Sequence, residues 1–209
     1  MRSLLGLPVA YRALMRAFGS TRARRLYVKE HVRVAPGMRV LDLGCGPGDI
    51  LTAMPDVEYV GVDVHEPYIR AARQRFPGAT FVLSSVDDLP VGRYTGFDRV
   101  LGTGVLHHLD DASAQHLLEV AARAISTDGV FIALDACWDA GQSRVSKALV
   151  SRDRGQFVRS ADQYVALARR AFPSVSARVR HDLLRIPYAL CVMRASHQPG
   201  SEAEVLPSS

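Results

Sequence analysis

One stretch constrains the fold of this 209-residue chain more than any other: Val40-Leu41-Asp42-Leu43-Gly44-Cys45-Gly46-Pro47-Gly48-Asp49. Met38, Val40, Leu41 and Leu43 form an apolar, partly β-branched run too short for a helix, so it reads as a strand. The strand breaks into a turn with three glycines in five residues, Gly44, Gly46 and Gly48. Glycine lets the backbone bend through positive φ and lets a ligand lie against bare main chain. Ile50, Leu51 and Met54 follow at helical spacing, so the turn is expected to open a helix. A helix N-terminus offers unpaired N–H groups and partial positive charge to an anionic group. Strand, glycine turn and helix together make half of a nucleotide-type site.

The spacing narrows the choice. A dinucleotide fingerprint reads G-x-G-x-x-G, whereas here the pattern is G-x-G-x-G with Asp42 two residues before the first glycine. No Lys-Ser or Lys-Thr pair follows, which excludes a P-loop. The next apolar run, Tyr59-Val60-Gly61-Val62, ends in Asp63, nineteen residues after Gly44, where an acid can take both hydroxyls of a ribose. This constellation resembles the class I S-adenosylmethionine-dependent methyltransferases, whose first motif reads E/D-x-G-x-G-x-G. Ser85-Val86-Asp87-Asp88-Leu89-Pro90 parallels the family's adenine motif D-A-x-x-L-P, with Ser85 standing in for the usual acid. Phe97–Leu109 follows f-D-x-V-x-x-x-x-x-L-H-H-L, and Asp128–Asp135 follows D-G-x-h-x-h-x-D, where h is apolar. The resemblance covers residues 37–136.

The resemblance implies an α/β, Rossmann-like, doubly wound sheet of seven strands in the order 3-2-1-4-5-7-6, with strand 7 antiparallel. It implies S-adenosylmethionine as cofactor. Asp42, Gly44, Cys45 and Gly46 would meet its amino-acid end, and Asp63 and Val64 its ribose. Val86 would offer its backbone N–H to the adenine, with Ser85 or Asp87 taking the amino group. Thr103 and Leu106 would border the methionine part. The donor is already activated, so the protein must position the nucleophile and, for some acceptors, remove its proton. His107 is the candidate for that proton, and a packed structural role is the alternative. Adjacent histidines diverge and no third ligand stands near them, so no metal is expected. Gly102-Thr103-Gly104-Val105 lacks the Asn/Asp-Pro-Pro-aromatic motif of the branch that methylates base amino groups.

Periodicity divides the chain into an N-terminal helical cap over residues 1–35, a catalytic domain over 36–194 with a lid insert at 141–160, and a flexible tail over 195–209. Strands and helices alternate through the centre, as in a parallel sheet covered on both faces. Charge is uneven: +7 over residues 1–35, −8 over 36–140, +7 over 141–185 and −1 over 186–209. Two readings fit the basic ends, solvated helical faces or a cover for an acidic substrate. On the second reading Tyr11, Arg154 and Arg159 bind a small acidic acceptor that is methylated on oxygen or carbon.

The three cysteines, Cys45, Cys137 and Cys191, are far apart and form no C-x-x-C, which suits a reducing cytoplasm. The run after Arg2 is too short and too interrupted for a signal peptide, and no run approaches a spanning helix, so no membrane partner is expected. Nucleic acid is not expected either, because the acidic centre leaves no continuous basic face. The competing readings are an RNA or protein methyltransferase, a nicotinamide-dependent reductase, and a non-catalytic cofactor-binding regulator.

Overall fold

The computed structural model describes residues 20–151 and 155–198. Tyr11, Arg154, most of the expected helical cap and residues 199–209 of the expected tail lie outside these. In chain order the elements are α1 (Ser20–Tyr27) continued by a π-helical turn (Val28–Val32), β1 (Arg39–Leu43), β2 (Glu58–Asp63), α2 (Glu66–Arg75), β3 (Thr80–Leu83), β4 (Phe97–Thr103), α3 (Asp111–Ala124), β5 (Ile125–Trp138), α4 (Arg144–Val150), β6 (Arg159–Ser160), α5 (Ala161–Ala168), β7 (Ser174–Arg180) and β8 (Leu190–Ser196). The sheet runs β3-β2-β1-β4-β5-β8-β7, with the two-residue β6 pairing beside β5. β8 is antiparallel to both its neighbours. This is the expected order, 3-2-1-4-5-7-6, with one short extra strand inserted ahead of the last two.

Period-two alternation along β1 sorts its side chains to two faces. Leu41 and Leu43 join one core with Leu117, Leu118 and Ala121 of α3 and Tyr164 and Leu167 of α5. Val40 joins the other, with Tyr27 of α1, Ile69 and Ala72 of α2, Tyr59 and Phe81. Both faces are therefore covered, and the ligand edge is left at the carboxyl ends of the parallel strands.

The expected helix after the glycine turn is only a 3₁₀ segment, Asp49–Ala53. Pro55 is the reason: its ring disfavours helical backbone at the residue before it, and Met54 is extended at φ −96°, ψ 153°. One such turn lacks the aligned dipoles of a full helix, so the turn's own N–H groups must serve any anion. The tail boundary also moves. β8 continues through Ser196, His197 Nε2 lies 2.8 Å from the Ala122 carbonyl, and Gln198 Nε2 donates to Asp128 Oδ1 at 3.1 Å. Residues 195–198 thus belong to the folded unit: Ala195 pairs with β5 and β7, Ser196 pairs with β7, and His197 and Gln198 are held by their side chains.

Arginines fasten the N-terminal segment to the sheet. The π-helical turn ends at Arg33, in left-handed backbone at φ 53°. Its last carbonyls have no helical partner, and the Arg99 Nε donates to Val32 O at 2.8 Å while Arg194 Nη1 donates to His31 O. Arg180 Nη1 bonds Glu30 Oε2 at 2.8 Å and faces His31 Nε2 at 2.8 Å, and its other nitrogens grip Asp182 at 2.7 Å each. Burial, and then the Arg180 charge, push the His31 pKa down to about 4, so this ring is neutral. Part of the basic excess of residues 141–185 is therefore spent inside the protein.

Candidate functional site

All three glycines of the turn have positive φ, 79° at Gly44, 53° at Gly46 and 71° at Gly48. Their bare faces meet different things. A Cβ on Gly44 would lie 2.9 Å from Val105 Cγ2, and one on Gly48 would lie 3.1 Å from the Phe81 ring. A Cβ on Gly46 would meet nothing within 4 Å. Packing explains two of the glycines, and Gly46 alone opens onto space of the kind a ligand needs.

Asp63, at the end of β2, faces the same turn. Its Oδ2 accepts from Gly46 N at 2.8 Å and its Oδ1 from His65 N at 2.8 Å. Two backbone donors hold the carboxylate at the rim of the turn, and each oxygen keeps a lone pair for a ribose hydroxyl. Val64 beside it is 69% exposed, so it presents an apolar surface at the rim. Asp42 lies deeper, and Tyr59 OH donates to its Oδ2 at 2.6 Å. Register makes this pair: Asp42 sits opposite Gly61, which has no side chain to separate Asp42 from Tyr59, two residues back on the same face. The Asp42 Oδ1 is buried with no hydrogen-bond partner among the described residues. Burial raises the Asp42 pKa to about 7, the Tyr59 hydrogen bond lowers it, and the Asp63 charge raises it further. An orphaned carboxylate oxygen under an open glycine turn fits the ammonium and ribose of an amino-acid nucleoside.

Cys45 is 8% exposed, with its Sγ packed onto Gly61, and burial drives its thiol pKa far up. It is a space-filling residue rather than a nucleophile. After β3, Ser85 Oγ donates to Asp88 Oδ2 at 2.6 Å and accepts from Asp88 N at 3.0 Å, closing a turn that leaves Val86 half-buried and Asp87 exposed. The Asp87 carboxylate lies 3.4 Å from His116 Nε2. Ser85 is thus engaged with Asp88, while Asp87 is the acid that stands outward.

β4 ends at Thr103, and the chain turns through a 3₁₀ segment, Leu106–His108. Leu106 was expected at the cofactor; its side chain is instead 1% exposed and belongs to the α3/α5 core. His107 lies against β5: its Nδ1 is 2.7 Å from Asp135 Oδ1, and its backbone N donates to the same oxygen at 3.2 Å. Asp135 is 2% exposed. Parallel pairing of Thr103 with Leu134 brings the exit of β4 beside Asp135. Gly155 comes so close to His107 that a Cβ would meet its Cδ2 at 2.1 Å, and Phe157 N donates to His107 O at 3.0 Å.

Arg159, expected to clamp the acceptor, is 6% exposed and turned inward. Its Nε and Nη2 donate to Asp111 Oδ1 at 2.9 and 2.7 Å, its Nη1 to the carbonyls of Leu106 and Phe157, and its Nη2 to that of Leu109. All five N–H groups of the guanidinium are committed, so it fastens the 106–111 loop and has none left for a substrate. The clamp expected at Arg154 falls outside the described residues. Among the described residues no helix is long and apolar enough to cross a membrane.

A mostly parallel sheet of this order, a glycine turn after its first strand and an acid ending its second are the marks of the class I S-adenosylmethionine-dependent methyltransferase fold, and this chain has that fold. Comparison with known proteins agrees. The family described as "Methyltransferase domain" matches residues 40–129. An uncharacterized methyltransferase of Synechocystis sp. is 32% identical over 108 residues, 51% of this chain and 50% of the relative. A trans-aconitate 2-methyltransferase of Rhodopseudomonas palustris is 39% identical over 70 residues, 32% of this chain and 27% of the relative. Other relatives carry names of tRNA methyltransferases. The chain therefore spans half or less of the length of these curated relatives. In fold it is similar to a TehB-like methyltransferase from Corynebacterium glutamicum, with TM-score 0.65 and 18% identity over 90% of this chain and 95% of that one.

Sequence reading missed Tyr59, Asp135 and Gly155. Asp135 was legible only as the last letter of a strand pattern. The signal that could have found it was the register of two parallel strands, which sets Leu134 beside Thr103.

Proposed function

We propose that this protein transfers a methyl group from S-adenosylmethionine to a small-molecule acceptor. The observation that carries this reading is the open face of Gly46 beside Asp63 and above the orphaned Asp42 oxygen. When bound, the cofactor supplies an electrophilic methyl on a sulfonium. Asp63, with Val64 beside it, would hold the ribose hydroxyls, Asp42 and the turn's N–H groups would hold the amino-acid end, and Val86 and Asp87 would border the adenine. Thr103, at the exit of β4, would border the methionine part. A small acidic acceptor, methylated on oxygen or carbon, fits the +7 charge of residues 141–185 and a relative named for trans-aconitate. Arg159 is no longer among its binding groups. The −8 centre of the chain argues against a nucleic-acid acceptor. Three free, buried cysteines suit the cytoplasm.

The test is calorimetry with S-adenosylhomocysteine, followed by tritium transfer from labelled S-adenosylmethionine to small molecules and, in parallel, to total tRNA. Asp63→Ala is expected to weaken cofactor binding by about 1.5–3 kcal/mol, the scale of a hydrogen bond to a charged group. Gly46→Val is expected to abolish it. Unchanged affinity in both variants removes the site assignment, and transfer to tRNA alone removes the small-molecule acceptor.

A further inference from the structure

The three-glycine turn is tied down unevenly. At its entry Gly44 N and Cys45 N both donate to Val62 O on the neighbouring strand, at 2.8 and 3.0 Å. In its middle Gly46 N donates to Asp63 Oδ2 at 2.8 Å. At its exit the backbone bonds are local: Gly48 N returns to Cys45 O at 3.1 Å, and Leu51 N to Gly48 O at 3.1 Å. A full helix would fix this end through a ladder of its own bonds. Here the following segment, Asp49–Ala53, is one short 3₁₀ piece.

The side chain of Asp49, the first residue after the turn, is gripped from outside. Arg24 of α1 and Arg75 of α2 converge on it: Arg24 Nη2 lies 3.5 Å from Oδ2, and Arg75 Nη1 donates to Oδ1. The side chains of Arg24, Asp49 and Arg75 are 21%, 30% and 33% exposed, so water screens the cluster only in part. Both arginines are also placed by other contacts. Arg75 lies over the Phe76 ring, 4.8 Å from its centre, and that ring is 3.3 Å from where a Cβ of Gly48 would be. Arg24 rides on α1, which is anchored across the sheet: Arg22 Nη1 donates to Asp182 O at 2.8 Å, and Tyr27 OH to Ile132 O at 3.3 Å. The position of Asp49, and with it the exit of the turn, is thus set by α1 and α2.

Resting on the methyltransferase reading above, we propose that Asp49 is a positioning residue for the cofactor. Arg24 and Arg75 hold it, and through it they hold the turn in the shape that opens Gly46 to the ligand. The clasp does for this turn what a longer helix would do by its own bonds. It also makes α1, an element outside the glycine motif, part of the cofactor's affinity. Asp49 acts on the cofactor through the turn and not by contact. Without its two arginines the turn samples other shapes, and apparent affinity falls with the fraction that stays competent.

The experiment uses the full chain, with S-adenosylhomocysteine as the probe. Calorimetry on wild type comes first, and no binding there would remove the methyltransferase reading and this proposal together. Asp49→Asn keeps the size of the side chain and removes its charge. We expect its dissociation constant to rise about 3–30-fold, the range for losing two part-buried ion pairs. Arg24→Gln and Arg75→Gln should each show part of that rise. Added to Asp49→Asn, Arg24→Gln should change affinity little, since both remove the same contact. Salt gives a second readout. Wild-type affinity should weaken between about 20 and 500 mM KCl more than that of Asp49→Asn, because salt screens the clasp. Thermal unfolding without ligand is measured alongside. A lowered melting temperature with unchanged affinity would make the clasp merely structural. Fully additive effects of Arg24→Gln and Asp49→Asn would mean that the two act separately. Either result overturns the proposal and, with wild type still binding, leaves the methyltransferase standing.

Discussion

Replacing Arg159 separates a structural arginine from a substrate-binding one. Arg159→Ala withdraws five N–H donors at once. The pair with Asp111 contributes little, since that carboxylate is 77% exposed and exposed pairs are worth about 0–1 kcal/mol. The carbonyls matter more. Leu106 O keeps the Leu109 N–H at 3.2 Å and loses its second bond, so it and the carbonyls of Phe157 and Leu109 each lose a hydrogen bond worth about 0.5–1.5 kcal/mol. With the ion pair the total loss is about 1.5–5.5 kcal/mol. For a chain of this size that is a fall in Tm of about 3–22 °C. Arg159→Lys should recover only part of it, because an ammonium cannot span Leu106, Leu109 and Asp111 as the planar fork does. Thermal and urea unfolding without ligand provide the measurement. A Tm within about 2 °C of wild type, joined to a raised Michaelis constant, would refute the reasoning and return Arg159 to the acceptor.

Asp42 sets a pH dependence. Its pKa is raised to about 7 from 3.8, so the folded state binds a proton that the unfolded chain has released. The stability this brings is present below about pH 4 and is lost as pH rises to about 7. Asp42→Asn keeps the acceptor for Tyr59 and cannot ionise, so its stability relative to wild type should rise between about pH 4 and pH 8, by an amount on the order of 4 kcal/mol. A pH-independent difference in urea unfolding would contradict this. Gly155→Ala places a Cβ 2.1 Å from His107 Cδ2 and 2.8 Å from its carbonyl, so the Phe157 N–H should lose its bond to His107 O. Hydrogen exchange at Phe157 should quicken in the variant, and unchanged protection would mean that the two segments are not in contact.

The alternation of strands and helices and the cofactor turn were legible in the chain because both are local chemistry, while the order of the strands came from the family resemblance. A strand that breaks into Gly44-Cys45-Gly46-Pro47-Gly48 carries its own backbone requirement, and alternating elements carry their own periodicity. Asp63 was readable for the same reason, as the residue that ends a strand at fixed distance from the turn. Sequence could not tell which glycine faces ligand. That depends on Val105 and Phe81, which packing brings against Gly44 and Gly48 and not against Gly46. Nor could it separate the arginines. Arg154 and Arg159 look alike in a charged loop, yet the carbonyls of Leu106, Leu109 and Phe157 and the Asp111 carboxylate converge on Arg159 and take every donor it has. The pairs Asp42–Tyr59 and His107–Asp135 are likewise tertiary. Each joins residues 17 or 28 positions apart through the register of neighbouring strands, and register follows from how the whole sheet buries its two faces. Sequence by itself determined which backbone this protein needs to hold its cofactor, since a glycine turn needs no partner to declare itself. The tertiary structure decided which side chains remain available for chemistry, because availability is what is left after every other group has found its partner.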